Sequence, residues 1–274
     1  MTRARRVLVT GASRGIGRVV AGRLAREGHA VIACARDPRR LAESIASLPG
    51  EGHRSLALDV ADAAAWGRVA AGLDDVAGAV CAAGVIGPIG DIGDIDAESF
   101  VHALNVNVAG TLLTVQACAP ALRARDGAAV VLSGGGATGP LARFDAYAAS
   151  KAAVVRLAEN LAAGGLRVNA VAPGFIVTDM QSDVLDAGPE RVGQAYYDRV
   201  RAALDAGSGD DPERAAALIA FLLSDEARGI SGRLLSAPWD PWEDEAFRDR
   251  LRAEPDLGTL RRIDDQFFGA LAGT

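Results

Sequence analysis

The sequence predicts an α/β fold in which a doubly wound parallel sheet of about seven strands carries helices on both faces. As far as residue 236, short runs rich in β-branched residues alternate with longer stretches rich in Ala and Leu. The short runs are continuously apolar, which is typical of strands buried on both faces of a parallel sheet. Right-handed crossovers then place the ligand crevice at the carboxyl ends of the strands.

The predicted elements follow one another in regular alternation. Each predicted strand is a short apolar run, and each stretch between two strands has apolar residues at helical spacing. The strands are predicted at residues 6–10, 30–35, 54–58, 76–82, 128–133, 166–172 and 230–236. The helices are predicted near residues 16–28, 38–48, 62–72, 97–124, 145–163 and 212–224.

The composition limits both the size and the class of the protein. The chain has 274 residues, of which 50% are apolar and 23% charged, and its formal net charge is −6. This length is enough for one large α/β domain, and the apolar fraction excludes a disordered protein. The acidic balance argues against binding to a nucleic-acid backbone. We therefore expect no nucleic-acid partner.

The sequence also predicts neither a membrane span nor a targeting segment. No apolar run reaches the roughly 18–20 residues that cross a bilayer. Residues 1–6, which include three arginines, precede only three apolar residues, and this apolar run is too short for a signal sequence. We therefore expect no membrane partner.

The cysteines and histidines predict no metal site. Cys34, Cys81 and Cys118 are odd in number and widely spaced, so they form neither a disulfide framework nor a zinc pattern. The three histidines are equally scattered. A reducing, cytoplasmic location fits this use of cysteine.

A glycine-rich turn joins the first strand to the first helix. Gly11, Gly15 and Gly17 in Thr10-Gly11-Ala12-Ser13-Arg14-Gly15-Ile16-Gly17 allow the backbone to approach a pyrophosphate. The helix N-terminus adds unpaired N–H groups and a partial positive charge. The alternative is a turn that binds nothing, because the spacing is G-x3-G-x-G and single motif matches carry a false-positive risk.

The end of the second strand favours NADP over NAD. The strand ends in Cys34-Ala35-Arg36-Asp37, and Ala35 stands where an NAD site usually has an acid for the ribose hydroxyl. Arg36, aided by Arg14, is suited to a 2′-phosphate. The alternative is that both arginines are ordinary surface charges, and Asp37 beside Arg36 weakens the case for NADP.

Tyr147 and Lys151 are the predicted catalytic pair. Four residues apart on a predicted helix, they project from one face. A free tyrosine ionises near pH 10, and a nearby ammonium together with an oxidised nicotinamide would lower that pKa. Tyr147 would then exchange a proton with a substrate oxygen. Lys151 is the only lysine among 29 basic residues. The alternative is an exposed Tyr–Lys pair without a function.

Three segments together resemble the short-chain dehydrogenase/reductase family in its shorter single-domain branch. They are residues 10–17, Tyr147-Ala148-Ala149-Ser150-Lys151 and Pro173-Gly174, and the resemblance covers residues 5 to 236. Asp59-Val60, Ala82-Ala83-Gly84 and Asn107-Val108-Ala109-Gly110 match as well. The resemblance implies a Rossmann fold and an oxidoreductase that transfers hydride between NAD(P)(H) and an alcohol/ketone substrate.

The resemblance also implies roles for the matched residues. Lys151 would bind the nicotinamide ribose, Ile176 and Thr178 would meet the nicotinamide carboxamide, and Asn107 would hold a water for proton relay. The implied catalytic set is Asn107, Ser133, Tyr147 and Lys151. The implied cofactor contacts are Gly11, Ser13, Arg14, Gly15, Ile16, Gly17, Arg36, Asp59, Val60, Ala82, Ala83, Gly84, Tyr147, Lys151, Pro173, Gly174, Ile176 and Thr178.

The catalytic serine is the main departure from the family pattern. The family has a serine thirteen residues before the tyrosine, and that position is Gly134 in this chain. In one account Ser133 takes the role after a shift of one residue, which the following glycines tolerate. In the other account Ser133 is a structural neighbour and the catalytic hydroxyl is missing. We expect the first account.

Residues 1–238 are predicted to form the NAD(P)-binding catalytic domain, with 239–274 as a C-terminal extension. Residues 181–209 are expected to be an irregular, mobile excursion that serves as a substrate lid. The extension is expected to dock on its own domain. A sharper hypothesis sends its two tryptophans and Phe267 and Phe268 toward a substrate mouth.

We expect a homodimer or homotetramer, because the resemblance implies that the helices near 105–124 and 146–163 form the subunit contact. The competing function is a nucleotide-binding sensor with little turnover, which the shifted serine supports. A third possibility, isomerase or dehydratase chemistry on a sugar, fits the glycine-rich turn less well.

Overall fold

The computed structural model describes residues 5–262, and a parallel sheet of seven strands forms its centre. The strands are β1 (Arg6–Thr10), β2 (Ala30–Ala35), β3 (Arg54–Ala57), β4 (Val76–Cys81), β5 (Ala128–Leu132), β6 (Arg167–Ala172) and β7 (Leu234–Ser236). Their order is β3-β2-β1-β4-β5-β6-β7, and each neighbouring pair is parallel. The predicted doubly wound α/β fold is confirmed.

Helices cover the sheet on both faces. They are α1 (Gly15–Arg26), α2 (Pro38–Ala46), α3 (Ala63–Val69), α4 (Ala97–Leu104), α5 (Gly110–Ala124), α6 (Asp145–Ala163), α7 (Asp179–Val192), α8 (Gln194–Asp205), α9 (Pro212–Leu223) and α10 (Glu245–Ala253). One face carries α1, α2, α9 and α10, and the other carries α3, α5 and α6. Within residues 5–262, no helix is long and apolar enough to cross a membrane.

The two apolar cores explain why the strands read as continuous apolar runs. Val7 and Val9 of β1 belong to one core, while Leu8 between them belongs to the other. Successive side chains of a strand point to opposite faces, so a sheet covered on both faces needs apolar residues at every position. Every residue of β4 and β5 is accordingly buried.

The crossover from β3 to β4 creates the crevice. β3 lies at one edge of the sheet, whereas β4 pairs with the far side of β1. The chain therefore reverses its winding direction between β1 and β4, and their carboxyl ends open into the cleft expected at such a switch point.

The long helix predicted over 97–124 is interrupted in the structure. α4 ends at Leu104, a π-helical turn occupies Asn105–Ala109, and α5 begins at Gly110. A π turn adds a residue to the helical repeat and changes the direction of the side chains it carries. This turn leaves Asn107 only 1% exposed. Apolar spacing does not reveal such a turn, because helices lie on both sides of it.

The last strand is shorter than predicted. Residues 230–233 precede β7, and the side chain of Asn169 on β6 accepts from the Arg233 N–H and donates to the Ile230 carbonyl. These bonds, at 3.0 and 2.9 Å, occupy backbone groups that a longer strand would pair with β6.

The predicted irregular excursion over 181–209 is wrong, because most of this segment is helical. α7 and α8 fill it, with a break at Gly188 (φ +79°) inside α7. The segment is polar overall, but Val184, Val192 and Val200 are buried in a third apolar cluster beside the cleft. Their burial provides the stabilisation that the polar composition concealed.

The C-terminal extension docks on its own domain, as expected. Trp242 is 4% exposed and stacks on Phe221 of α9, with the ring centroids 6.2 Å apart. The hypothesis that both tryptophans reach toward a substrate mouth is therefore wrong for Trp242. Trp239 is 81% exposed, and Phe267 and Phe268 lie outside the described residues.

The extension also covers the free edge of β7. The Leu234 N–H donates to the Gly258 carbonyl at 2.6 Å. The buried guanidinium of Arg233 donates to the carbonyls of Leu251 and Pro255, which fixes the chain after α10. An uncovered edge strand is a template for pairing with another chain, and the extension removes that template.

Candidate active site

The cleft at the carboxyl ends of the strands contains the predicted cofactor site. It has a volume of about 390 Å³. The structure places every predicted cofactor contact on its wall, including Ser13, Asp59, Val60, Ala83 and Pro173. The sequence reasoning missed other wall residues, among them Arg40, Met180, Gln181 and Asp183. Met180 to Asp183 follow the expected contact Thr178, so only the length of that contact segment was underestimated.

The glycine-rich turn is shaped for close backbone approach. Gly11 has φ +67°, and a Cβ on it would lie 2.8 Å from the Ala82 carbonyl oxygen. A Cβ on Gly17 would overlap the carbonyl of Gly11. α1 begins at Gly15, and the Arg14 side chain before it makes no capping hydrogen bond, so the first N–H groups of the helix remain open to the cleft. This cradle fits a pyrophosphate.

A threonine that the sequence reasoning did not single out holds the floor of this cradle. Thr10 Oγ1 accepts from the N–H groups of Ala82 and Ala83, at 3.1 and 3.3 Å. These bonds fix the turn after β4 against the turn after β1. Burial raises the pKa of the Cys81 thiol, which keeps it protonated and inert.

The adenosine end of the cleft is rich in arginine. Arg36 is exposed, and its Nη1 lies 3.9 Å from Asp59 Oδ2. Asp37 accepts from the N–H groups of Arg39 and Arg40 as the cap of α2, and the Arg40 bond is the main cause of its lowered pKa. Its carboxylate is therefore committed to α2. Arg40, four residues after Arg36, also lines the cleft. This spacing of the two arginines is visible in the sequence and could have indicated Arg40.

Tyr147 and Lys151 lie together on α6, at the inner end of the cleft. Lys151 Nζ is 5.4 Å from the centre of the Tyr147 ring and donates to the Leu132 carbonyl at 2.9 Å. Burial lowers the pKa of Lys151 to about 8. Burial, with a smaller contribution from Tyr196, raises the pKa of Tyr147 to about 12. The protein's own groups therefore hold Tyr147 as the neutral phenol, and the expected lowering of its pKa requires a further positive charge.

Asn107 is a buried amide that is almost fully bonded. Its Nδ2 donates to the Val85 carbonyl and to Ser150 Oγ, and its Oδ1 accepts from the Val85 N–H, each at 2.9 Å. Both amide protons are used, and one lone pair of Oδ1 remains. Asn107 thus fixes Val85, which lines the cleft, and does not itself line the cleft.

Ser133 borders the cleft, but its hydroxyl is directed at the backbone of α6. Its Oγ donates to the Lys151 carbonyl at 3.4 Å, and the residue is 2% exposed. The neighbouring position is the one beside the tyrosine hydroxyl, because a Cβ on Gly134 would lie 2.7 Å from Tyr147 Oη. Position 134, where the family has its serine, thus carries no side chain, while the Ser133 hydroxyl one residue earlier is bonded to α6.

Asp210 fixes the backbone of the segment that follows β6. Asp210 Oδ2 accepts from the Phe175 N–H at 2.5 Å, and the Asp210 N–H donates to the Phe175 carbonyl at 2.9 Å. Gln181 Oε1 accepts from the N–H and the hydroxyl of Thr178, at 3.0 and 2.8 Å. With its proton used, the Thr178 hydroxyl presents lone pairs. Asp210 has no motif of its own, so the sequence gave no reason to single it out.

The described residues contain no group of side chains suited to binding a metal ion. Across residues 5–262 no three side chains of His, Cys, Asp or Glu are grouped closely enough to hold a metal ion.

Comparison with known proteins assigns the family. A family model described as enoyl-(acyl carrier protein) reductase matches residues 11–237. The chain belongs to the short-chain dehydrogenase/reductase family. As a member of this family it is an NAD(P)-dependent oxidoreductase that acts on alcohol and carbonyl groups.

Relatives in the family act on different substrates. A (3R)-3-hydroxyacyl-CoA dehydrogenase of Mus musculus is 34% identical, over 82% of this chain and 91% of that enzyme. An L-rhamnose 1-dehydrogenase (NAD(P)(+)) of Azotobacter vinelandii is 32% identical, over 84% and 93% of the two chains. Among solved structures, a variant of actinorhodin polyketide ketoreductase with NADPH has a TM-score of 0.76 and 25% identity, over 86% of this chain and 97% of that one.

Proposed function

We propose that this short-chain dehydrogenase/reductase is an NADP-preferring ketoreductase in which Tyr147 is the general acid/base. The observation that carries the proposal is the placement of Tyr147 and Lys151 on one face of α6, at the inner end of a cleft whose outer end is the glycine-rich turn. A dinucleotide laid from the turn along this cleft brings its nicotinamide to these two side chains.

The wall residues fit the parts of such a cofactor. The N–H groups at the start of α1 and the glycine cradle would bind the pyrophosphate. Lys151 would donate to the nicotinamide ribose, and the lone pairs of Thr178 would accept from the carboxamide. When bound, the cofactor supplies or accepts the hydride.

The proton passes through Tyr147. As a neutral phenol it gives its proton to the oxygen of a ketone while the carbonyl carbon gains hydride, so the C=O double bond becomes a C–H and an O–H bond. In the reverse direction the phenolate must accept the proton. A protonated Lys151, together with the positive charge that an oxidised nicotinamide would supply when bound, would lower the tyrosine pKa from the high value that burial imposes.

NADP preference is supported by the arginines at the adenosine end. Arg36 and Arg40 line the cleft there, and the Asp37 carboxylate is held by α2. Arg14 also lines the cleft, where its guanidinium donates to Asp179 at 3.1 Å. A 2′-phosphate carries the charge and the acceptor oxygens that guanidinium groups bind best. The ribose diol of NAD gains much less from them.

The test is a pair of binding titrations followed by turnover measurements. NADPH should bind more tightly than NADH, and the wild type should turn over members of a panel of ketones, sugars and 3-oxoacyl thioesters. Tyr147→Phe should abolish turnover and keep the Kd for NADPH within about threefold, because the ring remains and only the hydroxyl is lost. Substantial activity of Tyr147→Phe would overturn the assignment.

A second candidate function, a nucleotide-binding sensor, is favoured by one observation. Gly134 leaves no side-chain hydroxyl at the position where the family has its serine. Tight NADPH binding by the wild type without turnover across the panel would establish the sensor in place of the enzyme.

The assembly and the location are also proposed. Leu112 of α5 is 42% exposed and Val101 of α4 is 53% exposed, which supports a homodimer or homotetramer through this side of the molecule. Light scattering of the purified protein tests this assembly.

Cys34, Cys81 and Cys118 are buried free thiols, which supports a reducing, cytoplasmic location.

A further inference from the structure

Tyr196 shares the apolar cluster of Tyr147. It lies on α8, and its ring packs against Phe144 with the centroids 5.0 Å apart. Phe144 immediately precedes α6, and both tyrosines are half-buried against the cluster around it. A helix of the segment beside the cleft therefore brings a second phenol to the catalytic end of α6.

The Tyr196 hydroxyl has no other task among residues 5–262. No hydrogen bond joins it to any group in this part of the chain, whereas the neighbouring Tyr197 hydroxyl accepts from the Arg201 guanidinium. Tyr196 and Tyr147 pack against the same apolar cluster, and Tyr196 makes a small contribution to the raised pKa of Tyr147.

The side chains of residues 133 and 134 place no hydrogen-bond donor beside the Tyr147 hydroxyl. Gly134 has no side chain, and a Cβ there would stand 2.7 Å from Tyr147 Oη. Ser133 donates its hydroxyl to the Lys151 carbonyl instead. A second hydrogen-bond donor to the substrate oxygen would lie at the end of β5. Neither Ser133 nor Gly134 supplies one from its side chain.

We propose that Tyr196 supplies this donor: its hydroxyl hydrogen-bonds the substrate carbonyl oxygen beside Tyr147 and stabilises the negative charge that develops there. The inference rests on the proposed ketoreductase function and adds a catalytic residue to it. Tyr147 alone gives up its proton. Tyr196 keeps its own and acts as an oxyanion donor.

The environment of Tyr196 suits this role. Burial raises its pKa, so it remains a neutral donor over the whole physiological range. Because Tyr196 lies on α8, the position of its hydroxyl depends on the packing of α8 against Phe144.

The experiment compares Tyr196→Phe with its neighbour Tyr197→Phe. Each variant removes one hydroxyl and keeps the ring, so the packing against Phe144 is preserved. Tyr196→Phe should lower kcat by about 10²-fold, with KM changed by less than about threefold, because an oxyanion donor acts mainly in the transition state. Tyr197→Phe should keep kcat within about threefold of wild type. Equal thermal unfolding of the two variants shows that both are folded.

An isotope measurement separates chemistry from lid packing. With NADPH deuterated at the transferred position, Tyr196→Phe should show an isotope effect on kcat at least as large as that of wild type, because the chemical step has become slower. A loss of kcat through a slower conformational step would instead make the isotope effect smaller than in wild type.

Each outcome decides. A kcat of Tyr196→Phe equal to that of Tyr197→Phe, a loss confined to KM, or an isotope effect smaller than that of wild type overturns the role of Tyr196 and leaves the proposed function intact. A wild type without turnover on the panel overturns the proposed function and this inference together.

Discussion

The hydroxyl of Tyr147 occupies the space in which a side chain on Gly134 would begin. The 2.7 Å between Tyr147 Oη and a Cβ on residue 134 is shorter than any relaxed contact of these atoms. A Cβ at position 134 thus cannot coexist with the present placement of the Tyr147 hydroxyl, and the glycine is part of how the tyrosine is positioned.

Gly134→Ala should therefore reduce activity although alanine adds only a methyl group. The new Cβ displaces the phenol from its position, and misplacing a catalytic group by about 1 Å costs about 10²-fold in rate. Steady-state kcat measures the effect. The control is Gly135→Ala, whose Cβ would meet Leu141 Cδ2 at an ordinary 3.7 Å. Equal kcat values for the two variants would refute the steric argument.

Lys151 should make stability depend on pH in a specific way. Its folded pKa of about 8 lies below the value of about 10.4 in an unfolded chain, so burying the ammonium destabilises the fold. This penalty is complete well below pH 8 and disappears as the pH rises from about 8 to 10.4. The wild type should therefore gain about 1 kcal/mol relative to Lys151→Met between pH 7 and pH 9.

Urea unfolding at the two pH values measures this gain. Arg156→Met is the matched control, because Arg156 is exposed on the same helix and stays charged throughout. A stability difference between wild type and Lys151→Met that is constant with pH would show that the pKa of Lys151 is not lowered in the folded protein.

Arg36→Ala should weaken NADPH binding by about 10- to 100-fold, the cost of losing a charge-assisted hydrogen bond to a phosphate. NADH binding should change little, since NADH lacks the 2′-phosphate. Fluorescence titration of both nucleotides measures the two Kd values. Arg39→Ala is the control, because Arg39 is exposed on α2 but does not line the cleft. Equal losses for NADPH and NADH would contradict the NADP preference.

Trp242→Ala should destabilise the protein by about 3–5 kcal/mol, the usual cost of removing a buried large aromatic ring. The ring lies against Phe221, and its indole N–H donates to the Ala237 carbonyl at 3.2 Å. Trp239→Ala, at an exposed position three residues earlier, should change the free energy of unfolding by less than about 0.5 kcal/mol. Urea denaturation compares them, and similar losses would mean that the extension is not docked through Trp242.

The strands and most of the cleft were predictable because they depend on residues that are close together in the sequence. A buried parallel strand must be apolar at every position, and a phosphate cradle needs glycines and a helix start at fixed spacing. The π turn at Asn105–Ala109 was not predictable, since it breaks a helical repeat without changing the apolar pattern.

The parts that sequence reasoning missed depend on contacts between distant segments. Asp210 binds Phe175, 35 residues away, and nothing in its own neighbourhood marks it. The direction of the Ser133 hydroxyl likewise depends on where α6 lies against β5. Which of two adjacent residues faces the tyrosine is a fact of packing, and a motif with one shifted residue leaves it open.

The use of arginine for every basic position except one has a practical consequence. Lys151 is the chain's only side-chain amine, and its pKa of about 8 leaves much of it unprotonated and nucleophilic in mildly alkaline buffer. A small acylating reagent that enters the cleft therefore labels lysine at a single address. The degree of labelling of Lys151 reports how accessible this end of the cleft is, and protection by an added nucleotide can be followed by mass spectrometry without any knowledge of the substrate.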